Sequence, residues 1–275
     1  MTALDLAAIS VPLIGGVLLE DGARIDRVSL RRLSGHEEDW LGRRPGVSNA
    51  EAITELIVAC VDRDALPIPP RMLARQLLIG DRALLMVELR RITLGDIVAA
   101  VYDCPSCESK MDVTLDLAEA PVEGALQTQI AFEMSLDSGR SVRFRLPNGG
   151  DQEAVAGMAF DDAVSALFDR CLIDGGGAEL SESDRQAISD EMERIAPNLE
   201  IELDLECPEC AHQFSVEFDV ASFFFAELLA SQKTLLREVH HLAFHYGWSE
   251  EAILALDRGR RRAYLSLLAD ELRPE

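Results

Sequence analysis

Lysine is nearly missing from this sequence. Lys110 and Lys233 are the only two among 275 residues, and arginine carries almost all of the positive charge. No function follows from that bias. Cations as a class are also outnumbered, 26 Lys and Arg against 49 Asp and Glu, which leaves a net charge of −23. A surface this acidic repels phosphate backbones and anionic headgroups, so non-specific nucleic-acid binding and electrostatic membrane binding are disfavoured. Long apolar runs are lacking too. The longest, VPLIGGVLL at 11–19, is too short to span a bilayer and is broken by Gly15 and Gly16. The opening MTALDLAAIS has no basic segment, which does not fit a secretory signal. The expectation is a soluble cytoplasmic protein. Hydrophobic residues make up 48% of the chain, enough for a packed core.

Several chemical signatures are also absent. The glycine clusters at 15–16, 149–150 and 175–177 match neither the Gly-Lys-Ser/Thr nor the G-x-G-x-x-G phosphate pattern, and are read as loops. His241 and His245 have i, i+4 spacing, but H-E-x-x-H is missing, so His240, His241 and His245 are read as polar and half-buried histidines of a helix. His212 lies close to a cysteine pair that does not need it. No carboxylate pair stands out as an acid–base couple, and no nucleophile has a recognisable base. The chain is expected to be non-enzymatic, with no small-molecule substrate. The run Arg258, Arg260, Arg261, Arg262 is read as a polar helix face pairing with acids. Phe223, Phe224 and Phe225 are read as core.

Periodicity sketches the elements. Leu18 and Leu19, the turn Asp21-Gly22, then Ile25, Val28 and Leu30 predict a hairpin. Ser34-x-x-Glu37 and Ser48-x-x-Glu51 predict capping boxes, the second opening a helix through Ile53, Leu56, Ile57 and Cys60. A helix is expected around Met72–Leu78. Asp81 is expected to cap the next one after a break at Gly80, and Gly95-Asp96 to end it. Alternation predicts strands on both sides of Cys104–Cys107, a hairpin over 130–146 turning at Asp137-Ser138-Gly139, and strands on both sides of Cys207–Cys210. Helices are expected at 161–173 and 181–195. One long helix is expected from Ser222 to Tyr246, ended by Gly247, with shorter ones after it.

What the sequence does contain is C-P-S-C at 104–107 and C-P-E-C at 207–210. In the register that places Cys104 on Cys207, Val98, Ala100 and Tyr102 fall on Ile201, Leu203 and Leu205. Met111, Val113 and Leu115 fall on Phe214, Val216 and Phe218, and Asp116 falls on Asp219. This is one strand–turn–strand motif written twice. A C-x-x-C turn presents two thiolates, half of a tetrahedral site, and two such turns complete a closed four-sulfur shell suited to structural zinc. The metal ligands read from this pattern are Cys104, Cys107, Cys207 and Cys210. The intervening residues 118–198 do not forbid the closure, because loop entropy grows slowly with length. Redox dithiols and two separate sites stand as alternatives, though a thioredoxin-type dithiol needs a βαβ context that is not seen here. Cys60 and Cys171 fall on apolar helix faces and are read as inert thiols. Gly is preferred after each turn in many zinc ribbons. Here Glu108 and Ala211 stand in those places.

Longer segments extend the pattern. LLIGDRALLMVELRRITLGD leads straight into a β segment and C-P-x-C. It is followed by VRFRLPNGGDQEAVAG, DRCL, LECPECAHQFSVEFDVASFFFAEL, LLREVHHLAFHYGWSEEAILAL and RRRAYL. In this order the chain, from about residue 20 onward, resembles the T-even-phage-type baseplate hub assembly protein family of contractile tails and phage-tail-like contractile injection systems. The resemblance implies a baseplate assembly factor or minor subunit, working without catalysis in the cytoplasm or in the assembled particle. Its implied partners are other baseplate, hub or spike proteins, while the acidic charge argues against nucleic acid and membrane. The fold class expected is α+β: a split zinc ribbon formed by two C-P-x-C hairpins, with helical segments before, within and after it. The regions expected are 1–96 (hairpin and helices), 97–220 (split ribbon with insert 118–198) and 221–275 (helical arm). A zinc-ribbon nucleic-acid adaptor is the alternative function, and a thiol oxidoreductase is a third.

Overall fold

The computed structural model describes residues 8–43, 46–122, 124–137, 139–174 and 180–272. It mixes helices with two-stranded antiparallel ribbons. Strands β1 (Ile9–Leu18) and β2 (Arg24–Leu30) form the opening hairpin, with Gly22 at φ +83° in its turn. Four helices follow: α1 (Gly35–Gly42), α2 (Asn49–Cys60), α3 (Pro70–Gln76) and α4 (Ile79–Leu94). Capping boxes open α1 from Ser34 and Glu37, and α2 from Ser48 and Glu51. The first cysteine ribbon pairs β3 (Ile97–Asp103) with β4 (Lys110–Asp116). An insert carries β5 (Phe132–Ser135), β6 (Ser141–Phe144), α5 (Gly149–Val155), α6 (Phe160–Cys171) and α7 (Glu182–Ile195). The second cysteine ribbon pairs β7 (Glu202–Glu206) with β8 (Gln213–Glu217). Then come α8 (Val220–Ala230), α9 (Gln232–Tyr246), α10 (Glu250–Leu254) and α11 (Arg258–Glu271).

Helix α4 is the hub of the core. Its residues Leu84, Leu85, Met86, Val87 and Leu89 are all buried, so it is covered on every side, as a central helix must be. The main hydrophobic cluster runs from Val11 and Leu13 of β1 through α2 and α4 to Val98, Leu199, Ile201 and Phe218 at the bases of the cysteine ribbons, and on to Phe224, Phe225 and Leu228 of α8. The insert has its own smaller cluster, centred on Phe144, Phe168, Cys171 and Ile188. The C-terminal helices are tied to α1 through buried charges. Glu38 accepts from Arg258 at 2.7 Å and from Arg261 at 2.9 Å, and Arg261 also reaches Glu238 at 2.8 Å. The arginine run therefore does pair with acids, but Arg261 does so in the interior and not on a polar face.

Four expectations need correction. Asp81 does not cap α4, and Gly80 does not break the chain. The helix starts earlier, with Leu78 as its cap, and Gly80 sits inside it because a Cβ there would lie 2.0 Å from the Pro197 carbonyl oxygen. The buried Asp81 carboxylate instead accepts the N–H groups of Ile14, Gly15 and Gly16 at 2.6, 3.1 and 2.9 Å. Gly15 and Gly16 are thus not a loop but a bulge within β1, where the register slips between Pro12 and Val17. Burial pushes the Asp81 pKa up, and the three amides pull against that. Gly149 and Gly150 open α5, capped by Asn148 with Asp151, and Gly149 leaves room for the Arg82 guanidinium and the Ala74 carbonyl. The cluster at 175–177 and Ser138 of the 137–139 turn lie outside the described residues. Finally, the helix expected over 222–246 is two helices. The chain turns at Ser231, whose hydroxyl donates to the Leu228 carbonyl and accepts from Arg258, while the Gln232 side chain bonds the Glu38 carbonyl.

Candidate metal centre

Each cysteine pair sits at the tip of a ribbon whose strands diverge from the main core. The two tips are built alike. In the first, the Cys104 N–H donates to the Ser109 carbonyl at 3.0 Å and the Glu108 N–H to the Cys104 carbonyl at 2.9 Å. In the second, the Cys207 N–H donates to the His212 carbonyl at 2.9 Å and the Ala211 N–H to the Cys207 carbonyl at 2.8 Å. Below the tips, Asp103 pairs with Lys110 across the first ribbon, and Glu206 bonds Gln213 at the equivalent place in the second. Asp116 and Asp219 then both cap the helical turn that follows. Glu108 and Ala211 have φ of +60° and +56°, the only positive-φ residues other than glycine among those described. The left-handed turn that usually calls for Gly is therefore kept, at the steric cost of a Cβ.

The two tips meet. Cys104 Sγ lies 3.7 Å from Cys210 Sγ, and Cys107 Sγ lies 3.6 Å from Cys207 Sγ, so each contact joins one ribbon to the other. All four sulfurs lie within 4.8 Å of one another. A sulfur tetrahedron around an ion with metal–sulfur bonds of about 2.3 Å has edges of about 3.8 Å, whereas a disulfide needs about 2.05 Å. The separations fit ligation and do not fit cystine. The Ser106 N–H donates to Cys104 Sγ at 3.4 Å, the kind of contact that stabilises a metal-bound thiolate. Cys104 and Cys207 are buried beside Met111, with Leu205 and Phe214 packed around them, while Cys107 and Cys210 face outward.

The electrostatics suit a cation. Hydrogen bonds from the Ser109 side chain and backbone, then from Cys210 and Cys207, pull the Cys107 thiol down to about 6, which favours its thiolate. The His212 backbone favours the Cys210 thiolate, but the interaction with Cys107, then burial and the other two sulfurs, outweighs it and pushes Cys210 up to about 12. Four thiols this close cannot all ionise unless a positive charge joins them. Cys60 and Cys171 are different: burial pushes them to about 12 and about 11, and both lie in the hydrophobic clusters away from the tips. No other group of three or more possible ligands gathers among the described residues. His240, His241 and His245 are exposed on α9, and His212 stacks on Phe214.

A family model described as T4 bacteriophage base plate protein matches residues 35–174. That is half of the chain. The chain belongs to this T4 base plate protein family. No curated protein and no solved structure is matched. The family match takes in α1 to α4 and the first cysteine ribbon, and ends before the second. The second half of the sulfur cluster thus lies outside the matched segment, and the internal repeat links the two. No helix among the described residues is long and apolar enough to cross a membrane.

One feature of the centre escaped sequence reading and a second was only hinted at. Ser109, which lowers Cys107, carries no motif signal. The left-handed Glu108 and Ala211 were visible only as departures from glycine.

Proposed function

We propose that this chain is a non-enzymatic assembly factor or minor subunit of the baseplate of a phage-like contractile tail or injection system, stabilised by one structural zinc held by Cys104, Cys107, Cys207 and Cys210. The observation that carries the role is the family match over residues 35–174. The zinc rests on the sulfur geometry. Zinc suits an all-thiolate shell with no open position, and such a shell positions structure without supplying a reactive site. The two ribbons so joined form a split zinc ribbon. The protein works by presenting fixed surfaces to other baseplate, hub or spike proteins in the cytoplasm where particles are built. Asp103, Glu108, Asp112, Glu206 and Glu209 lie within five residues of the cysteines in sequence, against Lys110 as the one Lys or Arg there, and oppose the nucleic-acid adaptor reading.

An affinity-tagged chain recovered from cells assembling particles should bring down baseplate components, and purified chain should carry one zinc per molecule. Recovery of no tail component at any stage of assembly removes the baseplate role. A chain that is fully folded and carries no metal removes the zinc.

A further inference from the structure

A groove beside the second cysteine ribbon has no part in the centre described above. It lies between α2, the first turns of α4, the segment 196–201 leading into β7 and the junction 217–221 between β8 and α8. Its volume is about 500 Å³, within the range of ligand pockets at roughly 300–1,000 Å³. Ile53, Ala83, Leu199 and Phe218 give it an apolar lining. Among the described residues, two buried side-chain polar atoms have no hydrogen-bond partner: Arg82 Nε and Gln152 Oε1. Both residues line this groove. Buried polar atoms in native proteins are almost always paired, so two orphans beside one cavity point to an occupant. Arg82 is 1% exposed, and its other nitrogens are engaged with Thr54, Ala74 and Ala50. Of its three nitrogens, Nε alone is without an acceptor. Gln152 has an acceptor left to offer. One donor and one acceptor are what a peptide group requires.

The rim adds a charge preference. Glu193, Glu200 and Glu217 are exposed there, and none forms an ion pair among the described residues. Asp219 also lines the groove, with its carboxylate bonded to Ser222. The lining thus holds four carboxylates and one buried guanidinium. We propose that this groove binds an extended segment of a partner protein that carries apolar side chains and at least one Arg or Lys. The apolar side chains rest on Ile53, Ala83, Leu199 and Phe218. A main-chain carbonyl takes the Arg82 Nε–H, a main-chain N–H donates to Gln152 Oε1, and the basic side chain meets Glu193, Glu200 or Glu217. Acidic segments and nucleic acids are turned away by the same rim.

The test uses the ¹⁵N-labelled full chain and two synthetic peptides, Ac-VRLRV-NH₂ and Ac-VELEV-NH₂. The basic peptide should shift the amide signals of Ile79, Gly80 and Ala83 and the Gln152 side chain, and should bind about tenfold or more tightly than the acidic one. The triple variant Glu193→Lys, Glu200→Lys, Glu217→Lys should invert that preference. Gln152→Leu, which leaves the charge untouched, should weaken the basic peptide and decides the matter if the triple variant does not fold. Equal affinity for both peptides, shifts confined to other surfaces, or no saturable binding by either would overturn the proposal. The baseplate role is independent of this result, because particle pull-down tests it without reference to the groove.

Discussion

Stripping the proposed zinc should loosen this protein by an amount that the chain length between the cysteines sets. The Cys107–Cys207 and Cys104–Cys210 contacts span 100 and 106 residues. An ion joining them removes from the unfolded chain the freedom of a loop of about 100 residues, worth about 4.7 kcal/mol in the chain-entropy treatment of a covalent cross-link. Domain stabilities run to about 5–15 kcal/mol, so this is a large share. At about 2–4 °C per kcal/mol for a chain of this size class, chelation should lower Tm by about 10–20 °C. The loss should also be uneven. Each ribbon is a two-stranded hairpin, a structure that is marginal in isolation, and among the described residues the apolar cluster beside the sulfurs is small: Met111, Leu205 and Phe214. Hydrogen exchange should therefore rise first at 97–116 and 202–217, before the α2–α4 core opens. Thiol alkylation after chelation should reach Cys104, Cys107, Cys207 and Cys210 while sparing Cys60 and Cys171. The measurement is calorimetry and exchange mass spectrometry with metal content followed in parallel. If metal leaves completely and Tm moves by less than a degree or two, the cross-link reasoning is refuted.

Three further outcomes are expected. Glu108→Gly and Ala211→Gly should each stabilise the protein by about 0.5–1 kcal/mol, the relief of a left-handed Cβ less the extra freedom of glycine in the unfolded chain; urea midpoints report this, and a loss of stability refutes the turn geometry. Arg261→Met should cost about 3–5 kcal/mol, because Glu38 and Glu238 then stay buried with one guanidinium fewer between them, and a fall in stability below about 1 kcal/mol would mean that the network is dispensable. The Asp151 carboxyl is pushed up by burial but held below its usual range by Arg145, the Asn148 amide and Arg170. With its folded pKa below the unfolded one, it contributes stability at neutral pH that is lost as pH falls from about 4 through the folded value. Arg145→Gln should move the acid-unfolding limb to higher pH, as followed by circular dichroism.

Much of this architecture is legible in the sequence, for identifiable reasons. Short-range signals survive folding: the Ser34 and Ser48 boxes, the Asp21-Gly22 turn, the αL Gly247 and the alternation on both sides of each cysteine pair all depend on near neighbours. The pairing of two distant C-P-x-C turns was legible because the motif is written twice with its strand parity intact. What failed depended on partners far along the chain. Asp81 looks like a cap until the β1 bulge, some 65 residues away, supplies three amides. Gly149-Gly150 looks like a loop until Arg82 is seen filling the space that a side chain would need. Ser231 gives no break signal of its own, since α1 and α11 make the bend. The groove was invisible because Arg82 and Gln152 are defined there by bonds they do not make.

The hundred-residue spacing of the sulfur pairs has a consequence for the newborn chain. At translation speeds of about 5–20 residues per second, Cys104 and Cys107 wait about 5–20 seconds on the ribosome before Cys207 and Cys210 are made. Throughout that interval the leading pair is half of the coordination shell proposed for zinc. It is open to borrowed ligands, to oxidants and to the thiols of a neighbouring nascent chain on the same message. Fidelity in making this protein therefore depends on how well the first dithiol is kept reduced and unclaimed until its mate arrives.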